Sequence, residues 1–427
     1  MLLLAACPAQ ANNPWQIAKD HWSEADERGF SKFVQAIGET NCASAESCLN
    51  SAANPYRAKA QLPGVKVDCA KWPYLLRAYY GWNNGLPFSY VSAVNGEDDD
   101  LRYTKTADYA VSWLDLVDQG HGIDADTAIR GILASVFTGM YRINPNENVG
   151  LTSDLYSPMV RPGSIHVGTM LYDTQGHVGI VYKVGTDGRV YYMDAHPDFT
   201  ITRGVYGPQF PYTAMQLGGG FKNWRPFQLA GATRDAEGHL IGGRMAFAAN
   251  AQIADFSLQQ YTGNIRTADG KSGAFQYNGI TLGPYEYVRV VLSGGTTKDA
   301  PLYTLKAEMR SLCGELHKAK SANAAARRAA TQFYSDMADA LRLWTNRDAG
   351  IVYDGEFLKR DLEQAYDRES RACLSANKRT AKSSATMTFL DLLRRNIGGS
   401  DASHDVKALI ENIGEQIPLE AMKPVGR

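Results

Sequence analysis

The spacing of apolar residues changes several times along the chain, and each change predicts a different element. In residues 12–40, Trp15, Ile17, Trp22, Phe30, Phe33 and Val34 stand among charges, which predicts an exposed amphipathic helix. A loop punctuated by Pro and Gly follows over 54–67. Over 69–82, Trp72, Leu75, Leu76 and Tyr79 recur at i, i+3, i+4 and i+7, a helix with one apolar face. Pro73 is tolerated only in a first turn, so that helix starts close to Cys69, and Asn83-Asn84-Gly85 ends it. Residues 88–160 predict a long acidic loop at Glu97-Asp98-Asp99-Asp100 and at least two helices. One of these is capped by Asp124 and turns Ile129, Ile132, Leu133, Val136, Phe137 and Met140 to one side.

From Pro162 the period falls to two. Residues 164–172, 177–184 and 189–194 predict successive strands, the last two joined by the turn Thr186-Asp187-Gly188. Residues 286–292 predict one more strand. From about Leu302 the pattern is helical, with stripes at Phe333, Met337, Leu341 and Trp344 and at Phe389, Leu390, Leu393 and Ile397. The fold class expected is α+β, a helix packed on an antiparallel sheet followed by a mainly helical C-terminal domain. The boundaries expected are 1–11 for a signal remnant, 12–240 for the α+β domain with a helical insertion at about 88–160, 241–300 for a mixed connecting segment and 301–427 for the helical domain.

Composition narrows the class. A chain of 427 residues suggests two to three domains. Its 44% hydrophobic and 21% charged residues are an ordinary globular balance. Lys+Arg 44 against Asp+Glu 45 leaves a net charge of -1, so nucleic acid is not an expected partner. No run approaches the roughly 20 apolar residues of a spanning helix, which excludes a multi-pass membrane protein. The start, Met1-Leu2-Leu3-Leu4-Ala5-Ala6-Cys7, looks like the end of a secretion signal. Leu4-Ala5-Ala6-Cys7 resembles a lipoprotein box, in which Cys7 would be lipidated and anchor the protein to a membrane, while Ala9-Gln10-Ala11 offers a competing cleavage site. Among six cysteines, Cys42 can pair with Cys48 and Cys313 with Cys373, which fits an oxidising periplasm or cell envelope. Cys69 is then the free thiol.

A free Cys at a helix start is chemically pointed, because unpaired N–H groups there favour thiolate, the nucleophilic form. The strand Gly176-His177-Val178-Gly179-Ile180 can stand His177 opposite the thiol as general base and acid. Asp194 and His196 share a face of the next strand, and either can fix the tautomer of His177. The order is that of a Cys-His-Asp triad. Zinc held by His166, His177, His196 and Asp194 is the competing chemistry, without a tight H-x-x-x-H spacing to support it.

These segments resemble the NlpC-type cell-wall peptidases and their CHAP relatives, papain-like cysteine amidohydrolases. Asn54-Pro55-Tyr56-Arg57 followed by Asp68-Cys69-Ala70 looks like the family's tyrosine segment and its Asp-Cys nucleophile. Pro162-Gly163-Ser164-Ile165 looks like its Pro-Gly-Asp, and Gly176-His177-Val178-Gly179-Ile180-Val181-Tyr182 is the closest match. The resemblance covers roughly residues 54–200. It implies a papain-like core, Cys69 as nucleophile, His177 as base, Asp194 or His196 as orienting group and Tyr56 beside the oxyanion. It implies amide hydrolysis in peptidoglycan stem peptides and no cofactor; apart from it, the helical domain is expected to bind another envelope protein. The pattern departs at Lys71, Trp72 and Ser164 and in a long insertion before the histidine. Residues 69–91, with Leu75-Leu76-Arg77-Ala78 and Gly85-Leu86-Pro87, also resemble the nucleophile helix of transglutaminase-like proteins, which pass the acyl group to an amine. A non-catalytic envelope-binding protein on the same fold is the third reading. An open approach to Cys69 would favour an enzyme, and a Trp72 side chain plugging it a binder.

Overall fold

The computed structural model describes residues 13–146, 151–207, 210, 215–265, 275–277, 280–282 and 284–295, and parts of 305–376. Cys7 and its signal segment, Phe333, Trp344 and the stripe from Phe389 to Ile397 lie outside the described residues. The chain divides into two compact units between Thr296 and Thr297.

The first helix is shorter than its apolar pattern suggests. α1 (Glu24–Gly38) begins at a capping box in which Ser23 and Asp26 satisfy each other's backbone N–H. The residues before it run extended. Trp15 and Ile17 are each 1% exposed, and Trp15 Nε1 donates to Leu86 O at 2.9 Å, so this segment belongs to the core and not to an exposed helix. After α2 (Ala45–Leu49) comes α3 (Lys71–Asn83), with Pro73 in its first turn as expected. The single apolar face is a correction: α3 is buried from Trp72 to Trp82, because it runs through the core with α1 and α4 (Ala125–Ser135) against it. Arg77 enters that core because Glu27 receives it bidentately, at 2.6 Å and 2.6 Å, while Trp22 covers its guanidinium at 3.3 Å.

Residues 88–116 are a second correction. They form an antiparallel hairpin, β1 (Phe88–Asn95) and β2 (Tyr109–Leu116), with the acidic loop at its tip. β2 shows no clean period-two burial, with Val111, Ser112 and Leu114 exposed between buried Ala110 and Leu116, and its pairing with β1 is what makes it a strand. Asp124 does cap α4, accepting Thr127 N–H at 2.9 Å.

A six-stranded antiparallel sheet follows: β3 (Leu155–Tyr156), β4 (Met170–Asp173), β5 (His177–Val184), β6 (Val190–Ala195), β7 (Ile201–Val205) and β8 (Gly220–Trp224), in the order β3-β8-β4-β5-β6-β7. β4 is shorter than expected because residues 161–168 turn back on themselves, with Ser164 and Ile165 both donating to Arg161 O and Gly168 at φ +100. One face of the sheet, with Met170, Tyr172, Val178, Ile180, Met193 and Ala195, belongs to the core of α1 and α3. The other, with Leu171, Val181, Val190, Tyr192 and Phe221, packs with Tyr287, Val288 and Leu292.

β9 (Phe227–Ala230) pairs with β12 (Arg244–Phe247), and β10 (Thr233–Arg234) with β11 (Leu240–Ile241) between them, so a boundary at 240 would cut through paired strands. α5 (Gln259–Thr262) brings Gln260 to the backbone of Phe221, from which it accepts at 2.8 Å and to which it donates at 2.9 Å. Residues 286–292 are helical, not a strand: α6 (Pro284–Leu292) starts at a proline, which is preorganised for a first helical position, and buries Tyr287, Val288 and Leu292 together. Its run of valines carries the strand signal, and the packing decides against it. The described residues of 241–295 therefore belong to the first unit. The second unit contains α7 (Glu356–Ala376) and a core of Leu305, Met309, Leu316, Tyr334, Ala338, Leu362, Ala365 and Cys373. Tyr334 and Ala338 hold the buried positions where Met337 was expected.

Candidate active site

Cys69 stands two residues before α3, as the helix-start argument requires. Asp68 shapes this start: its Oδ1 accepts Lys71 N–H at 3.2 Å, its carbonyl accepts Trp72 N–H at 3.1 Å, and its Oδ2 pairs with Lys71 Nζ at 2.9 Å. Tyr141 fixes the helix from behind, donating to Ala70 O at 2.8 Å. Among the described residues the N–H groups of Cys69 and Ala70 have no hydrogen-bond partner.

The thiol faces the β4–β5 turn. Gly176 closes that turn at φ +91, where a side chain would be strained, and its carbonyl lies 3.7 Å from Cys69 Sγ. His177, the next residue, opens β5. Its Nε2 lies 2.6 Å from Asp194 Oδ2, which leaves Nδ1 as the ring nitrogen that Asp194 does not engage. The register explains the reach. Asp194 sits opposite Gly179, and His177 lies two residues before Gly179 on the same face of β5.

Asp194 is held on both oxygens. Oδ2 accepts from His177, and Oδ1 accepts from Thr202 Oγ1 at 2.5 Å. Thr202 has one hydroxyl proton and gives it to Asp194, so its 2.9 Å contact with His196 Nε2 is accepted from an imidazole N–H. His196 therefore acts on Asp194 through Thr202, and its own Nε2 is 3.7 Å from Asp194 Oδ2. The rings of His177 and His196 stack at 5.5 Å. Of the two candidates for orienting His177, the geometry gives the contact to Asp194.

The charges follow. Burial raises the Asp194 carboxyl, but the His177 hydrogen bond and charge, with Thr202 and His196 behind them, outweigh it and lower the pKa to about 2. Burial likewise works against a protonated His177, but Asp194 and then Cys69 overcome it and raise the imidazole to about 10. Asp194 is 4% exposed, whereas the His177 side chain keeps 31%, so the imidazole is the open member of the group.

Tyr56 is a correction. Its hydroxyl accepts from Asn84 Nδ2 at 2.9 Å, and its ring packs on Phe33, Tyr79 and Tyr80. Asn84 is the residue after the C-terminal end of α3, about 20 Å along the helix from Cys69 at 1.5 Å per residue. Tyr56 thus belongs to the core at the wrong end of α3 for an oxyanion contact. His166 also stands apart, its Nδ1 2.8 Å from Val167 O. It lines a cleft of about 890 Å³ with Trp22, Arg77, Phe227 and Phe247, which Cys69, His177 and Asp194 do not border. Trp72 is 0% exposed within the main core. The ligand atoms of His177, Asp194 and His196 lie within 4.8 Å of one another, a spacing that a metal could use. The 2.6 Å approach of His177 to Asp194 is a hydrogen bond, however: tetrahedral zinc with bonds of 2.0–2.1 Å would hold two ligand atoms about 3.3 Å apart.

Thr202, Tyr141 and the Gly176 carbonyl escaped the sequence argument. Thr202 was within reach of it, because β7 pairs Thr202 directly with Asp194. Cys42 is bonded to Cys48 and Cys313 to Cys373, and Cys69 is the free thiol among the described residues. Family models, curated proteins and solved structures were each searched, and none matches this chain.

Proposed function

We propose that this chain is an exported cysteine amidohydrolase of NlpC-like, papain-like design that cleaves amide bonds in peptidoglycan stem peptides. The observation that carries the reading is the grouping of Cys69, His177 and Asp194, with the thiol 3.7 Å from the carbonyl of Gly176, the residue before His177, and His177 Nε2 2.6 Å from Asp194 Oδ2. His177 holds the proton taken from the thiol, and with the imidazole raised to about 10 the imidazolium, stabilised by Asp194, is its resting form near neutral pH. The thiolate attacks the amide carbon. The oxyanion that forms is within the province of the Cys69 and Ala70 N–H groups. His177 gives its proton to the leaving amine, a thioester remains on Cys69, and water activated by His177 releases the acid. The two disulfides support an oxidising compartment outside the cytosol. Among the described residues no helix is long and apolar enough to cross a membrane.

The test is digestion of purified peptidoglycan, with mass spectrometry of the released fragments for the wild type and Cys69→Ala. New free carboxyl and amino ends with the wild type alone are expected. Fragments that appear only when a second amine is supplied would replace hydrolysis by acyl transfer, and no products under either condition would defeat the reading.

A further inference from the structure

Two exposed aromatic rings stand on chain segments that lead to this thiol. Tyr103 is 55% exposed and Phe199 41%. Tyr103 lies in the loop at the tip of the β1–β2 hairpin and lays its ring against Gly176, where a Cβ would fall 3.0 Å from its Cε1. Gly176 is the residue whose carbonyl faces the Cys69 thiol. Arg142 ties the loop to the same turn, donating from Nε to Thr104 O at 2.8 Å and from Nη1 to Thr174 O at 2.9 Å. Phe199 belongs to the turn between β6 and β7, just after His196. Its N–H donates to His196 O at 2.8 Å. Lys66, three residues before Cys69, holds its ammonium 5.1 Å from the Phe199 ring centroid.

Phe199 is also the one non-glycine residue at positive φ among the described residues, at φ 67. A left-handed conformation costs an L-residue about 1–2 kcal/mol, and glycine would adopt it freely. A residue that keeps 41% of its surface exposed recovers only part of that by burial. Strain of this kind persists at sites where the side chain is needed for something other than the fold.

We propose that Tyr103 and Phe199 are the two walls between which the peptide substrate lies. This rests on the amidohydrolase reading above. An amide carbon within reach of Sγ brings chain on both sides of itself, and an unbranched peptide suits a thiol that is only 9% exposed. The rings cover its apolar groups as it passes. They set which chain binds and take no part in proton transfer.

Two alkylating probes separate the walls from the nucleophile. Iodoacetamide is too small to span both rings, whereas acetyl-dialanyl chloromethyl ketone carries a dipeptide past them. Each forms a carbon–sulfur bond at Cys69 and releases halide. Tyr103→Ala and Phe199→Gly should each slow the chloromethyl ketone about tenfold and leave iodoacetamide nearly unchanged. Phe199→Gly should raise Tm at the same time; a merely structural residue would give the rise without the kinetic loss. Wild-type rates with the chloromethyl ketone in both variants, with Cys69 still reactive to iodoacetamide, would overturn the walls and spare the nucleophile. A wild-type Cys69 inert to both reagents would overturn the nucleophile, and the walls with it.

Discussion

Asp194 is the residue on which the most converges. It accepts from His177 on one oxygen and from Thr202 on the other, and it is almost wholly buried. Asp194→Asn should lower kcat by about a hundredfold or more, the scale of general acid–base effects, measured on whichever peptide the wild type cleaves. His196→Asn should lose less, because His196 reaches Asp194 only through Thr202. A pH dependence also follows. His177 is raised to about 10 from an ordinary 6.5, so its pairing with Asp194 contributes stability fully below about pH 6.5, and this is lost as pH rises through about 10. Asp194, lowered to about 2 from 3.8, contributes above 3.8 and loses its contribution as pH falls through about 2. Urea midpoints of the wild type and Asp194→Asn should therefore differ most near pH 6 and converge between about pH 6.5 and 10. A gap that widens over that range would reverse the assignment. Tyr56→Phe removes a hydroxyl hydrogen-bonded to Asn84, and should cost about 1 kcal/mol of stability with kcat unchanged.

At the scale of elements, the sequence placed the elements that carry Cys69 and His177 better than the scaffold around them. The helix start is legible because Pro73 admits only one placement, and β5 because Gly176 and the alternation after it leave no helical alternative. That order puts Cys69 and His177 within the same argument. Tyr56 was misplaced because its motif fixes only its distance along the chain, and the route of residues 56–69 past the whole length of α3 leaves no periodic trace. The β1–β2 hairpin and α6 were misread for a related reason: short apolar runs do not separate strand from helix until their packing partners are known. Gly176 offers a check at this scale. Gly176→Ala forces a side chain into φ +91 and against Tyr103, and should cost about 1–2 kcal/mol in chemical denaturation while slowing Cys69.

For the whole molecule, the two units have separate cores and separate disulfides. The Cys313–Cys373 bond closes a loop with a sequence separation of 60, so Cys313→Ser with Cys373→Ser should destabilise the second unit by about 4 kcal/mol on chain-entropy grounds. Non-reducing peptide maps should show that bond and Cys42–Cys48, with Cys69 unpaired. The proposed chemistry of the first unit reduces to one claim, that His177 activates Cys69. The most direct test is the rate at which iodoacetamide alkylates Cys69 in the folded chain near pH 7, followed by mass mapping, in the wild type and in His177→Ala. Removal of the base should slow that rate by about a hundredfold. Equal rates in the two proteins, with both folded, would contradict it and leave Cys69 an ordinary buried thiol.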